Sequence, residues 1–448
     1  MKSGELTRWI LRGSFLLLLA LVADFVIYRM RGPTPAQHAA LELMQKDRHP
    51  KKGVNAFPLL WSMHYDVAAD RLDEQLAADI EHLRLLQAAD SDTAAYEPSV
   101  TKLPEPRPDD AGLCHLRKPN CLARVMADPA SARNALEKYE AIARKTRMLE
   151  ATDFLWDELP ANPGTPEPIR GSTQDLWLSS LALQFVSGDH AAAIAGTCRN
   201  ILTWRRLRHG TNTLIGDMLS IAFADDALHL LADMLVLQPL EAGVPPECVH
   251  ALQPIEAADV DRCTGVAGTF AQTLGAYTLI APKKGSLSGP AIIWLVFDRA
   301  KTTAVLAERM SGHCEKRFTE ALLHDIEPEA IEPFIKHAPE CLANIAGCEL
   351  LAIPMLPYAQ YDQRALDFAA HLRLAATLLW LRENSEGSLS ERFERRPAHL
   401  RSATHASSFD ESQGKLYVDN FYAAREKRFE LTVGSGDRSE SKDSVDSK

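Results

Sequence analysis

Gly13 to Ala23 reads GSFLLLLALVA, an uninterrupted apolar run close to the start of the chain. No other feature constrains the molecule as much, because such a run has to be buried in lipid or in protein. Asp24 interrupts it and FVIY carries it on to Tyr28. As a helix, Trp9 to Tyr28 is about 30 Å long, enough to cross a hydrocarbon core. Trp9 and Tyr28 fall where interfacial aromatics belong, and Arg12 and Asp24 lie near the ends, within reach of headgroups. A cleaved signal peptide is the competing reading, with Lys2, Arg8 and Arg12 as its basic region and Phe15 to Ala23 as its apolar one. Cleavage after Ala23 would put Leu21 at −3, where a small side chain is needed. The segment therefore reads as an uncleaved anchor. No cysteine follows the run, which argues against a lipoprotein anchor. A soluble buried helix suits four consecutive leucines beside basic residues least well.

Flanking charge orients the anchor weakly. Lys2, Arg8 and Arg12 precede it, and Arg29, Arg31, Lys46 and Arg48 follow. The positive-inside bias is nearly balanced. A short N-terminal arm normally stays in the cytoplasm, which places the body outside. The first 31 residues hold five bases and two acids, so the remainder is more acidic than the net −11 of the whole chain. That acidity excludes a general nucleic-acid surface and would steer a basic partner.

Eight cysteines, all beyond residue 113, suit an oxidising compartment. Cys114 and Cys121 flank HLRKPN, a proline-containing stretch that can close a small disulfide loop. Cys341 and Cys348 share that spacing. On one continuous helix their Cα atoms would be about 10.5 Å apart, too far to bridge. That pair requires a helix break at Gly347, or other partners. The alternative is that most of the eight are buried free thiols. No pair has the short gap of a structural zinc site.

The rest of the chain, 46% hydrophobic and 24% charged, reads as mainly α: an irregular bundle or solenoid-like array with a small C-terminal β element. Residues 1–31 form the arm and anchor, 32–55 a polar, basic connector, 56–398 a helical body, 399–433 the β element and 434–448 a serine-rich disordered tail. Helical periodicity runs from Pro58 to Ala89. Asp128-Pro129 caps a second helix with Leu136, Tyr139, Ile142, Thr146 and Leu149 on one stripe. Gln174–Val186 and Ala191–Leu207 form a helical pair joined by Ser187-Gly188-Asp189. Thr213–Leu237 is apolar on most faces, hence central. Ala291–Phe297 (AIIWLVF) starts a helix reaching Met310, with a buried strand as the alternative. Further helices are expected around 264–281, 315–325, 328–346 and 361–383. Lys415–Asp419 and Arg428–Val433 alternate as strands do.

Catalytic patterns are sparse. HExxH, Walker A, GxGxxG and GxSxG are all absent. Gly285-Ser-Leu-Ser-Gly289 has Leu287 where a nucleophile elbow needs serine. Lys283-Lys284-Gly285-Ser286 reads as a solvated turn before it reads as a phosphate contact. Two Asp-x-x-His pairs, Asp79/His82 and Asp226/His229, have a helical metal-ligand spacing but arise readily by chance. Trp61, His64 and Tyr65 form an aromatic cluster best read as a packing anchor. Asp225, Asp226, His229 and Asp233 crowd a core-like helix. The simpler account pairs them with Arg199, Arg205, Arg206 and Arg208 in a structural ion network; the sharper one makes them the floor of a pocket.

Asn55-Ala-Phe-Pro-Leu-Leu-Trp61 after a basic connector, and Leu374-Ala-Ala-Thr-Leu-Leu-Trp-Leu-Arg382 before a small β end, resemble a group of single-span helical envelope proteins of Gram-negative bacteria. Some of that group are thought to be immunity partners of antibacterial effectors. The resemblance implies an inner-membrane, single-pass protein with its body in the periplasm, and it carries over no functional residue. The expectation is a membrane-anchored binding protein, an immunity protein for a basic periplasmic effector being its specific form, that touches lipid through residues 9–28 and needs no cofactor, metal or nucleic acid. The alternative is an envelope enzyme with an unfamiliar helical site floored by Asp217–Asp233.

Overall fold

The computed structural model describes residues 3–89, 96–107, 110–115, 120–160, 168–239, 242–279, 296–329, 341, 343–352, 358–422 and 426–433. These residues contain eighteen α-helices and three strands, so the chain is mainly helical with a small C-terminal sheet. The KKGS turn, the GSLSG segment, most of AIIWLVF and the C-terminal tail lie outside the described residues.

The first helix, α1 (Ser3–Met30), is followed by α2 (Pro35–Gln45), α3 (Phe57–Trp61) and α4 (Leu72–Ala88). On α1, Trp9, Phe15, Leu16, Leu19, Val22, Val26, Ile27 and Met30 are all exposed. Among the described residues no helix is long and apolar enough to cross a membrane, and several side chains of α1, that of Asp24 among them, fall outside that description. The end of α1 is clamped to the body. Arg29 pairs with Asp298 at 3.1 Å, and the Lys301 ammonium donates to the Tyr28 carbonyl while lying 4.1 Å from the Tyr28 ring centroid.

The segment expected to be a connector contains α2, which Pro35 opens and a Thr34–Gln37 capping box secures. Its Ala40 and Met44 are buried. The single helix expected over Pro58–Ala89 is broken. After α3 the chain turns and runs extended, with Tyr65 bridged to Lys102 and Leu103 N donating to His64 O. Backbone pairing with a distant segment overrides local helical periodicity there.

Helices α5 (Cys121–Ala127), α6 (Pro129–Lys138) and α7 (Glu140–Met148) pack on α8 (Gly171–Val186). Asp128 caps α6 as its sequence predicts, accepting from Ser131 N. Helix α8 and α9 (His190–His209) form the expected pair, and Gly188 makes the turn at φ +96°, where only glycine is unstrained. The centre is α10 (Leu214–Val236), buried on most faces. Trp204 meets Phe223 edge-on at 4.7 Å, and the buried Gln174 bonds Asn200, Trp204 Nε1 and the Phe223 carbonyl.

The chain continues through α11 (Pro246–Ala251), α12 (Ala257–Val260), α13 (Cys263–Leu279), α14 (Arg299–Ser311), α15 (Lys316–Leu323) and α16 (Ile345–Ala352). A second apolar cluster, with Met44 of α2, Phe270 of α13 and Leu306 and Met310 of α14, forms here. The long α17 (Tyr358–Glu383) lies along α10, and α18 (Leu389–Arg395) leads to the sheet. Strands β1 (Ser408–Asp410), β2 (Lys415–Asp419) and β3 (Arg428–Thr432) are antiparallel in that order. Leu416, Val418, Phe429 and Leu431 are buried in the main core, and the alternation that marked these strands is that of one buried face.

All eight cysteines are paired: Cys114–Cys121, Cys198–Cys248, Cys263–Cys314 and Cys341–Cys348. The free-thiol reading is overturned. Cys341 and Cys348 do bridge, at a Cα separation of 5.6 Å, but the helix break is not at Gly347. Cys341 precedes α16, whose first residue is Ile345, so the two were never on one helix. Gly347 serves close packing, since a Cβ there would collide with Thr302 and Asn344. In the chain-entropy account each link across about 50 residues is worth about 4 kcal/mol, against about 2 kcal/mol for a seven-residue loop.

Candidate functional site

A cleft of about 470 Å³ opens between α10, α17 and the sheet, with Cys114–Cys121 and His115 at one end. Its floor is α10, which presents Asp225, Asp226, His229 and Asp233 at helical steps along one face. Its side is α17, with Arg364, Asp367 and His371. Its roof is the sheet and the loop before β3, with Lys415, Asn420, Tyr422, Arg428, Phe429 and Glu430. Between these polar groups lie Leu178, Met218, Ile221 and Leu230. Two other cavities, about 230 Å³ beside Trp380 and about 410 Å³ beside Trp156, gather fewer titratable groups.

His371 fastens roof to floor. It is buried, its Nδ1 lies 2.9 Å from Asp225 Oδ1, and its Nε2 lies 2.9 Å from Asn420 Oδ1. Both partners are acceptors, an arrangement that suits an imidazolium donating from both nitrogens. Burial works against that charge, but the Asp225 carboxylate outweighs it and the His371 pKa is raised. The ring also stacks on Phe429 at 3.8 Å, and His229 lies 4.4 Å from the same phenyl ring. Asp367 accepts from the backbone N–H groups of Phe421 and Tyr422, fixing the loop after β2.

Burial shifts the remaining floor groups in opposite senses. The Asp233 carboxyl is pushed up to about 6 by burial, and the His229 imidazole is pushed down to about 4 by burial against the opposing pull of Asp225. Both shifts favour the neutral form, which leaves His229 uncharged at neutral pH and Asp233 still largely ionised there. Among the described residues no cation is paired with Asp233.

The ion-network account of this floor does not hold. Arg199 pairs with Glu150 and Glu247, Arg205 with Asp259 at 2.6 Å, and Arg208 with Asp217 at 2.5 Å, while Arg206 bonds the Glu150 carbonyl. All four reach other acids or carbonyls: Arg199 and Arg206 meet the turn at Leu149–Ala151, Arg199 also α11, Arg205 α12, and Arg208 the opposite end of α10. The pocket-floor reading is the one the geometry supports. Sequence missed the groups that complete it, Arg364, Asp367, His371, Asn420 and Phe429, since none shares a local pattern with α10.

The other singled-out residues are structural. Asp79 accepts from Trp61 Nε1 and the Tyr96 hydroxyl at 2.7 Å each, and His82 packs on the Tyr96 ring instead of joining Asp79. Trp61 stacks between Phe57 and Tyr96, the packing anchor expected of it. His64 is buried and its pKa is lowered to about 4, by burial first and by the Arg170 charge second. Among the described residues no group of three or more His, Cys, Asp or Glu is placed to hold a metal. No family model matches the chain, and neither a curated protein nor a solved structure matches it.

Proposed function

We propose that the chain is a membrane-tethered binding protein of an oxidising compartment, the bacterial periplasm, and that its ligand occupies the α10–α17–sheet cleft. The observation that carries this is the floor of the cleft. A core helix turns Asp233 onto the cavity wall with no described cation paired to it, an arrangement that costs stability and points to use. The exposed apolar side chains along α1 support the tether. The four disulfides support the compartment. The acidity of the body supports a basic partner, and an immunity protein that captures a basic effector is the specific form of this reading.

One observation favours an enzyme at the same place. Asp233, held near 6, is tuned for proton transfer at neutral pH, and His229 beside it stays a neutral base. Among the described lining residues Thr432 and Tyr422 carry the hydroxyls, and neither is bonded to a described base.

The test uses the full chain extracted from membranes in mild detergent. Native mass spectrometry of the wild type should show a bound species that is lost in Ala222→Trp, which fills the cleft. Identical spectra would remove the cleft as the binding site. A phosphatase fused after Lys448 should be active, and an inactive fusion with a working cytoplasmic reporter would reverse the topology.

A further inference from the structure

We propose that the body does not hang from its tether but sits on the bilayer, meeting the headgroup layer with the face around the end of α1, where Ile345 is presented. The proposal rests on α1 being the tether and adds a second lipid contact, made by the body itself.

The last turns of α1 have two faces. Phe25, Tyr28 and Arg29, at helical steps, are partly buried. Arg29 donates to the Phe297 carbonyl at 3.5 Å and pairs with Asp298 at 3.1 Å, the two side chains being 10% and 15% exposed, while Lys301 holds the Tyr28 carbonyl. Interleaved with these residues, Val22, Val26, Ile27 and Met30 are exposed. Phe25 to Arg29 is a rise of about 6 Å, so the joint and the free apolar face share one level of the helix. The headgroup layer is about 5–7 Å deep on each side of the hydrocarbon. For a helix that crosses near the bilayer normal, lipid that covers Val26 and Ile27 therefore brings the joint with Asp298 and Lys301 to the headgroups. The joint also has little slack. Residues 31–34 separate α1 from α2, and α2 packs along α14, the helix that Asp298 caps.

The body at this level is suited to lipid. Asn344 accepts from Asp298 N at 2.7 Å and donates to the Thr302 hydroxyl at 2.9 Å, which sets the next residue, Ile345, beside the joint. Ile345 opens α16 and is 53% exposed, a large apolar side chain turned to solvent. Arg31 follows the last turn of α1 and Arg299 follows Asp298; both are exposed and offer charge to lipid phosphates. An apolar side chain with arginines near it fits the boundary between headgroups and acyl chains.

The experiment places a spin label at Leu19, Ile345 or Val249, one at a time, through an introduced cysteine. All three positions are exposed, and the eight native cysteines are paired. Val249 is the reference for water, on α11, whose buried side belongs to the main core. The full chain is reconstituted into nanodiscs of phosphatidylcholine and phosphatidylglycerol, with folding followed by melting temperature. Collision with oxygen, which concentrates in lipid, is compared with collision with a water-soluble nickel chelate. The label at Leu19 should meet oxygen and little nickel, and the label at Val249 the reverse. At Ile345 nickel collision should fall several-fold below that at Val249 while oxygen collision rises. A label at Arg299 replaces the one at Ile345 should that variant misfold. Nickel access at Ile345 equal to that at Val249, with Leu19 in lipid, overturns the seat and leaves the tether standing. Nickel access at Leu19 overturns tether and seat together. A label at Ile345 shielded from both reagents would be covered by protein, a second copy of the chain, and also overturns the proposal.

Discussion

Asp217 and Asp233 stand near opposite ends of one helix and meet opposite fates. Asp217, only 4% exposed, receives Arg208 on one carboxylate oxygen and faces Arg262 at 3.6 Å on the other. Arg262 reaches on to Asp362, and next to this cluster Asp259 is held far below the usual carboxylate range by Arg205 and His209, in spite of burial. Those charges are gathered between α9, α10, α12, α17 and the residue that precedes α13. Asp233 has a cavity in front of it and a carboxyl raised by burial alone. The residue type and the helix are the same. The difference is whether a neighbouring element supplies a guanidinium, and it separates an acid closed into the fold from one left facing a cavity.

The largest effect should come from breaking the closed cluster. Arg262→Met leaves Asp217 and Asp362 facing each other with less cation between them. Removing one partner of a buried ion pair costs about 3–5 kcal/mol, read as a fall in urea midpoint. Adding Asp362→Asn should recover part of the loss. A loss below about 1 kcal/mol would mean that the cluster is solvated and that Asp217 and Asp233 are not the contrast described.

The latch on the other side should yield less. His371→Ala removes two charge-assisted hydrogen bonds and a stacked ring, together about 2–3 kcal/mol. Amide exchange should rise in β2 and β3 ahead of α9. The latch also has a pH signature. A histidine with a raised folded pKa contributes stability that is complete below its unfolded value near 6.5 and is lost as pH rises through the folded value. Protection of Leu416–Leu431 should therefore decline from pH 6.5 upward in the wild type and be flat in His371→Ala. A flat wild-type profile would assign the latch to packing on Phe429.

How much of this was legible depends on how far apart in sequence the partners are. The α8–α9 pair, the Asp128 cap and the alternating β2 and β3 rest on residues within a few positions of one another, and periodicity exposes them. Cys114–Cys121 closes within one loop and was legible for the same reason. Cys198–Cys248 and Cys263–Cys314 join distant helices, and nothing in the spacing selects them from the other pairings. The break after Trp61 was hidden because its cause, the strand-like pairing of Tyr65 with Lys102, involves a partner far along the chain, between Pro98 and Pro104. Half of the cleft could be glimpsed, since four polar residues on a core helix are a local anomaly. Its roof could not, because His371 and Asn420 meet Asp225 only through the tertiary fold.

The smallest expected effect bears most directly on the contrast between the two acids. Burial that is not repaid by a cation destabilises the ionised form, so Asp233→Asn should stabilise the protein at pH 7.5, where Arg262→Met destabilises it. With a carboxyl pushed up to about 6 in the folded state and near 4 when unfolded, the native form is favoured most at low pH, and that advantage is lost as pH rises from about 4 through about 6. Partial exposure of Asp233 to the cleft screens the cost, which sets the gain in the asparagine variant at about 1 kcal/mol. Urea midpoints of both proteins at pH 4.5 and pH 7.5 give the comparison. The wild type should trail Asp233→Asn at the higher pH and draw level with it at the lower one. A gap that persists at pH 4.5 would make the change a matter of packing. A wild type more stable than the variant at pH 7.5 would mean that Asp233 is an ion-paired structural acid like Asp217, and the contrast between the two would be lost.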